Sequence, residues 1–314
     1  MRVLVTGGAG FIGSWVVETL LNRGYEVAVL DNFSTGRKGN IDHLLDDKRV
    51  SLYEGDIRDS SLVDQAASES NSTIHLAALA SVESCTQNPK FAIANNVEGT
   101  ATVLEAAKWN SHKRFVYASS VAVYGEPVAL PVREEMRIIP KNVYGATKVA
   151  AEALVSAYQQ TFGISCLSLR LFNVYGPRQG TGEYSGVIAR FITDALKGNK
   201  LSLEGSGRQS RDFIFVKDVA DAFVLSLRSK ASGVINIGTG KEVSIIQLAS
   251  LIKKIAKKKI EYEHKPKRQG DIYRSKASIE LAMSKLRWRP KTSIEKGLRE
   301  TFRWYKDMMN YNDQ

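Results

Sequence analysis

At 314 residues, 43% hydrophobic and 25% charged, the chain has the length of two domains or of one elaborated α/β domain, and this balance speaks against disorder. Forty-four basic residues against 33 acidic ones give a net charge of +11, which favours an anionic partner (nucleic acid, anionic lipid or a phosphorylated small molecule) without choosing among them. Two cysteines, Cys85 and Cys166, exclude a disulfide framework and fit a reducing compartment. The 4 histidines are too scattered for a zinc site, and no apolar run approaches the ~20 residues of a membrane-spanning helix.

Residues 1–6 are too short for the apolar core of a signal peptide and lead straight into glycines, so a cytoplasmic protein is expected. Residues 3–5 read as a strand, 11–22 as a helix ending before Gly24, and 25–30 as the next strand. Further strands read at 50–53, 72–76, 114–118 and 165–171, separated by helical patterns, notably 95–109 and the segment around 148–162. Short strands, apolar on both faces and alternating with helices, predict an α/β fold with a parallel sheet covered on both sides. After about residue 171 the rhythm breaks: a glycine-rich loop at 179–186, a helix near 187–196, strand and loop at 201–210, a strand at 213–216 and a helix at 218–227. A strand at 234–237 is placed to rejoin the first sheet, and the basic remainder reads as helical with one extended segment near 260–262.

Thr6-Gly7-Gly8-Ala9-Gly10-Phe11-Ile12-Gly13 joins the first strand to the first helix. Gly8, Gly10 and Gly13 satisfy G-x-G-x-x-G, while Gly7, Gly10 and Gly13 give a wider spacing with the same use. Without Cβ atoms the backbone can approach a pyrophosphate, whose charge then lies at the helix N-terminus. Glycine-rich turns also arise from packing alone, so context decides. Asp31 lies eighteen residues beyond Gly13, at the end of the second strand, where a carboxylate accepts ribose hydroxyl bonds. It repels an adenosine 2′-phosphate and so favours NAD over NADP; Arg37-Lys38 is the counter-signal. After the third strand, Asp56 stands where it could meet an adenine amino group.

Tyr144 and Lys148 stand at i and i+4 on one helix face, downstream of Ser119-Ser120 at the end of a parallel strand. To take a proton from an alcohol while hydride leaves carbon, a base must work near neutral pH, well below the ~10 of free tyrosine. An ammonium ~4 Å away supplies ~4 kcal/mol at an effective dielectric of ~20, and a positive nicotinamide adds to it. Ser120 can hydrogen-bond the reacting oxygen.

These motifs together resemble the extended short-chain dehydrogenase/reductases, specifically NAD-dependent nucleotide-sugar epimerases of the UDP-glucose 4-epimerase type. The resemblance covers essentially the whole chain, through residues 5–13, Asp31-Asn32, Asp56-Ile57, 75–78, 96–100, 119–125, 144–148, 170–176, 211–219 and 268–271. It implies a Rossmann NAD-binding domain at 1–172, with later returns near 213–240, and a smaller α/β substrate-binding domain at 173–314. It implies Tyr144 as base, Lys148 as its partner and ribose ligand, and Ser120 as the substrate-orienting hydroxyl. The NAD contacts it implies are Gly7, Gly10, Phe11, Ile12 and Gly13, then Asp31, Asn32, Ser34 and Gly36, then Asp56 and Ile57. Leu76, Ala77, Ala78 and Ala80, with Asn95, Ser119 and Phe172, complete that surface. Asn173, Val187, Arg211, Arg268, Asp271 and Ser275 would hold the nucleotide diphosphate and its sugar. The implied reaction oxidises C4 of a UDP-hexose to a ketone and returns hydride to the opposite face, interconverting UDP-glucose and UDP-galactose with retained NAD and no metal. Helices 95–109 and 144–162 resemble those of the family's intersubunit bundle, so a homodimer is expected.

Related dehydratases and decarboxylases carry acids just before Val-Tyr-Gly, where this chain has Val121 and Ala122, and a reductase would more often want NADPH. Ser275, four positions after Asp271, resembles a gate on the sugar C2 substituent. Its small side chain leaves room for N-acetylated hexosamines, unless the loop packs differently. As a non-enzyme, a protein of this fold could sense dinucleotides or bind RNA. No RNA-binding aromatic motif is present, however, and a sensor has no need of Tyr144–Lys148. Lys253, Lys254 and Lys257–Lys259 read as the solvated, dipole-favoured end of a helix. His75 reads as a packing residue, and the two cysteines as buried thiols without catalytic partners.

Overall fold

The structure, a computed structural model, describes residues 1–180, 186–266 and 272–312. The chain runs β1 (Arg2–Thr6), α1 (Phe11–Asn22), β2 (Glu26–Asp31), β3 (Val50–Glu54), α2 (Ser60–Ser68), β4 (Ser72–His75), α3 (Val82–Gln87), α4 (Pro89–Ile93), α5 (Gly99–Trp109), β5 (Arg114–Ser120), α6 (Val143–Phe162) and β6 (Cys166–Leu171). It continues with β7 (Asn173–Tyr175), α7 (Val187–Lys197), β8 (Leu201–Glu204), β9 (Ser210–Arg211), β10 (Phe213–Phe215), α8 (Val216–Arg228), β11 (Gly233–Ile237), β12 (Val243–Ser244), α9 (Ile245–Ala256), β13 (Tyr262–Lys265), α10 (Glu280–Leu286) and α11 (Ile294–Asn312).

Seven strands form one parallel sheet in the order β11-β6-β5-β4-β1-β2-β3. Strand pleating explains why unbroken apolar runs serve here. In β1, Val3 and Val5 enter a core shared with residues of α1 and α8, while Leu4 enters the opposite core with residues of α2, α5 and α6. In β5, Val116 and Ala118 face the first core, Phe115 and Tyr117 the second. The segment at 233–237 does rejoin the large sheet, as the neighbour of β6.

Chain order reverses between β1 and β4, which opens a crevice at the carboxyl ends of the strands. Thr6, Asp31, His75 and Ser120 are the last residues of their strands, and the register sets Thr6 beside both Leu30 and His75. A third core gathers Phe191, Leu203, Phe213, Phe215, Leu248 and Tyr305 around α7, α9, α11 and the short pairs β10–β7 and β13–β8. A fourth, smaller one joins Val123, Tyr124, Val132, Phe172 and Ala277 beneath the end of β5.

Three boundaries differ from the sequence reading. The helix expected around 148–162 begins at Val143, because the Asn142 side chain accepts from the Gly145 N–H at 2.8 Å and starts it earlier. The helix expected at 95–109 is a π-helical turn at Ala94–Glu98 followed by α5. The extended segment expected near 260–262 is β13, paired parallel with β8. No helix among the described residues is long and apolar enough to cross a membrane.

Candidate active site

The turn between β1 and α1 is built for close approach. Gly7 has φ +69°, and a Cβ there would lie 2.8 Å from the Ala77 nitrogen; a Cβ on Gly13 would lie 2.0 Å from the Gly7 carbonyl oxygen. Gly10 caps α1 without a side chain, and the first turn of that helix contains no acidic residue. Its N–H groups therefore face a concavity with the polarity to take an anion. Phe11 and Ile12 open the helix, half-buried beside it.

Asp31 ties β2 to this turn: Oδ2 accepts from the Ala9 N–H at 2.9 Å and Oδ1 from the Phe33 N–H at 2.8 Å. Burial pushes its carboxyl up, and N–H groups of Phe33, Ala9 and Gly10 work against that. Gly36 packs against the carboxylate. Ser34, exposed, donates its N–H to the Asn32 side chain at 3.0 Å. Asn32 donates to Asp56 Oδ2 at 3.1 Å, and Arg58 holds that carboxyl down to about 2. Asp56, expected at an adenine, is paired with Arg58 and Asn32. Ile57 is buried beside α5.

The loop after β4 is organised by a neutral imidazole. The Thr100 hydroxyl donates to the Asn96 carbonyl at 2.7 Å, so His75 Nε2–H donates to Thr100 at 3.0 Å, and His75 Nδ1 accepts from Thr6 at 2.6 Å. The Thr6 oxygen in turn accepts the N–H groups of Leu76 and Ala77 at 3.2 and 3.3 Å. Burial, aided by Lys148, pushes His75 down to about 3. Ala78 is half-buried and Ala80 exposed farther along this loop.

Asn95, the expected cofactor contact, donates back to the Phe91 carbonyl of its own helix. Its neighbour Asn96 is the buried one. It accepts from the Leu79 N–H at 2.7 Å and donates to Leu79 O and to Thr147 Oγ1, which ties the loop to α6. Both asparagines lie in the π-helical turn at Ala94–Glu98, whose wider winding changes which side chains share a face.

At the end of β5 the expected catalytic set comes together. Ser120 stands close enough to Tyr144 to lower its phenol, and Ser120 Oγ accepts from the Ala122 N–H at 3.2 Å. Lys148 is buried, its ammonium donating to the Ala118 carbonyl at 2.9 Å and lying 5.8 Å from the centre of the Tyr144 ring. Burial lowers it to about 8, opposed by Cys85 and Glu152.

The ammonium lies 5.8 Å from the centre of the Tyr144 ring and is held by a carbonyl, while burial pushes the phenol up to about 12, with Ser120 working against that. Cys85 and Cys166 are free, buried thiols, as the sequence led one to expect, and burial pushes both up.

Ser119 points away, its hydroxyl donating to Glu152, which forms a buried 2.8 Å ion pair with Arg170. Arg170 also donates to the Tyr124 hydroxyl and the Glu134 carbonyl, so one buried network braces α6 against β5 and β6.

Phe172 is buried at the end of β6, in the small core beneath Ser120. Asn173 donates both its N–H and its side-chain amide to the Asp212 carbonyl, at 3.0 and 3.2 Å. Arg211 lies on β9, half-buried, donating to the Ser210 carbonyl at 2.8 Å. Ser275 is 3% exposed, and its hydroxyl has no hydrogen-bond partner among the described residues. Val187 opens α7. Arg268 and Asp271 lie outside the described residues.

Sequence reasoning missed Asp212. This buried carboxylate accepts from Thr239, Gly240 and Ala277 N–H groups and from the Thr239 hydroxyl, joining the Arg211 and Asn173 neighbourhood to the segment that carries Ser275. Open clefts of about 720 and 410 Å³ lie elsewhere, around α1, α8 and α11, and contain none of these residues. No group of three or more potential metal ligands occurs among the described residues.

A family model described as GDP-mannose 4,6-dehydratase matches residues 4–301. The chain is 36% identical over 310 residues to the UDP-glucose 4-epimerase of Mycolicibacterium smegmatis, covering 98% of this chain and 99% of that one. It is 34% identical to UDP-glucuronic acid decarboxylase 1 of Xenopus tropicalis, covering 99% of this chain and 73% of that one. The structure of Thermus thermophilus UDP-glucose 4-epimerase in complex with NAD superposes with a TM-score of 0.90 at 38% identity, covering 98% and 99% of the two chains. Likeness of this extent in sequence and fold means that the chain belongs to the NAD-dependent nucleotide-sugar epimerases, dehydratases and decarboxylases of the extended short-chain dehydrogenase/reductase family.

Proposed function

We propose that the protein is a UDP-sugar 4-epimerase that interconverts UDP-glucose and UDP-galactose with tightly held NAD. The observation that carries this reading lies just beyond Ser120: Val121 and Ala122 have no proton to give, and the groups acting on the Tyr144 phenol, Ser120 and Cys85, include no carboxylate. Elimination and decarboxylation chemistry would want an acid there; moving one hydroxyl proton off and back does not.

The glycine turn, with the first-turn N–H groups of α1 and the Asp31 carboxylate, would hold NAD, which supplies a hydride acceptor and donor when bound. Ser120 orients the sugar hydroxyl through its own hydroxyl. Tyr144 takes that proton and later returns it, and Lys148 supplies the fixed positive charge of the site. Asn173, Val187, Arg211, Arg268 and Asp271 would hold the nucleotide diphosphate and sugar. This reading divides the chain at about residue 172, with β10 to β11 returning to the dinucleotide side. Ser275 is the gate on the sugar C2 substituent in this reading, its small side chain admitting N-acetylated hexosamines.

Trp109 and Phe162, 75% and 49% exposed at the ends of α5 and α6, support a homodimer built on those helices. Trp109→Glu with Phe162→Glu is expected to give a monomer in sedimentation velocity, and an unchanged sedimentation coefficient would contradict that interface.

The test incubates purified protein with UDP-galactose, UDP-N-acetylglucosamine and their thymidine analogues, without added NAD. Interconversion at C4 is expected. A 4-keto-6-deoxy product, or carbon dioxide from UDP-glucuronate, would overturn the assignment.

A further inference from the structure

Tyr117 is buried in β5 at 1% exposure, and its hydroxyl has no hydrogen-bond partner among the described residues. An orphaned hydroxyl in a core is a net desolvation cost, so the side chain is not held there by its oxygen. Its ring does have partners. The His75 imidazole stacks on it with centroids 5.7 Å apart and planes at 28°, and the Lys148 ammonium lies 4.9 Å from its centroid, nearer than to the ring of Tyr144. His75 is itself fixed at both nitrogens, by Thr6 and Thr100. The imidazole thus orients an aromatic face, and that face meets the ammonium.

We propose that Tyr117 is a positioning residue for Lys148: its ring face, held by His75, stabilises the ammonium in the charged form and in the place from which it serves the Tyr144 phenol. The consequence for Tyr144 rests on the epimerase reading; the hold on Lys148 does not. The ammonium also feels Tyr144 and Glu152 from its own helix, Cys85 from α3, His75 from β4, the Ala118 carbonyl of β5, and Arg170 of β6 through Glu152. Burial opposes its charge, so a favourable ring quadrupole counts for more here than on a surface.

The test keeps the shape of the ring and changes its face. Tyr117→Phe, and then phenylalanines carrying one and three fluorines at position 117, are placed in the full-length protein. The Lys148 titration midpoint is read from the side-chain carbon signal of isotope-labelled lysine, assigned through Lys148→Arg. Removing a stabiliser of the cation lowers its midpoint, so the midpoint should fall stepwise with fluorination, by about one pH unit over the series. Tyr117→Phe keeps the face and should stay near the parent. C4 interconversion at neutral pH should fall severalfold across the series with KM unchanged, again with Tyr117→Phe close to the parent. A midpoint that stays flat through the fluorinated series overturns the proposal, as does a Tyr117→Phe protein that behaves like the trifluorinated one. A stepwise midpoint in a protein that turns over no UDP-sugar would uphold the hold on Lys148 and refute the epimerase reading instead.

Discussion

Gly13→Ala sets two opposed effects against each other. In a helix the exchange gains about 1 kcal/mol of propensity. Against that, the new Cβ would fall 2.0 Å from the Gly7 carbonyl oxygen and 2.8 Å from Gly8 Cα, both backbone atoms with no rotamer to escape into. Relief requires the Gly7 carbonyl to move by more than an ångström, and that carbonyl accepts the Gly10 N–H at 3.1 Å. Overpacking of this kind costs about 1–3 kcal/mol and the lost turn bond about 1 more, so the clash outweighs the propensity. Gly13→Ala should therefore be net destabilised by about 1–3 kcal/mol, which lowers the melting temperature by several degrees. Because the displaced carbonyl belongs to the turn that would meet the pyrophosphate, dinucleotide affinity should fall at least tenfold, equivalent to about 1.4 kcal/mol. Gly10→Ala is the graded control, since its Cβ would lie 3.1 Å from the same oxygen and needs only a small adjustment. Thermal unfolding and calorimetric titration with NAD measure both effects. A Gly13→Ala protein with parental melting and parental NAD affinity, or a Gly10→Ala protein worse than Gly13→Ala, would refute the cradle geometry.

Ser275→Tyr should abolish activity on UDP-N-acetylglucosamine and spare UDP-glucose; if both persist in coupled assays, the gate is wrong. Glu152→Ala strands the buried Arg170 guanidinium and should cost about 3–5 kcal/mol in urea unfolding, whereas the joint Glu152→Leu and Arg170→Met replacement should cost much less. Equal losses would show that the ion pair is no unit. His75 is held neutral with its folded value lowered to about 3, while the unfolded chain takes up a proton near 6.5. Its contribution is therefore fully present above about pH 6.5 and is lost as pH falls, by up to about 1.4 kcal/mol per pH unit. Unfolding midpoints that match at about pH 7 and about pH 5 would contradict a buried neutral imidazole.

The legible parts of this molecule are those whose residue type is dictated by a local requirement. Strands β1, β2 and β5 lie in a sheet covered on both faces, so each carries a continuous apolar run. The glycine turn is legible because a Cβ at Gly7 or Gly13 has no room, and the Tyr144–Lys148 pair because its two residue types stand at helical spacing on α6. β7, β9 and β12 span only two or three residues, too short for any period to register. The surroundings of Lys148 are hidden from the sequence for a different reason. Spacing puts Lys148 on the face of Tyr144, but whether the ammonium reaches the phenol or the Ala118 carbonyl depends on β5, thirty residues away in the chain.

The same holds for the residues that grip rather than react. Asp212 meets Thr239, Gly240 and Ala277 across gaps of 27 to 65 residues, and Asn96 meets Thr147 across 51. Any short polar side chain with the right partner could do such work, so type and spacing carry no signature of it. A group that must touch the reactant is constrained by chemistry and shows in the sequence. A group that must hold it is constrained by three-dimensional company, and only the fold reveals which asparagine or aspartate was chosen.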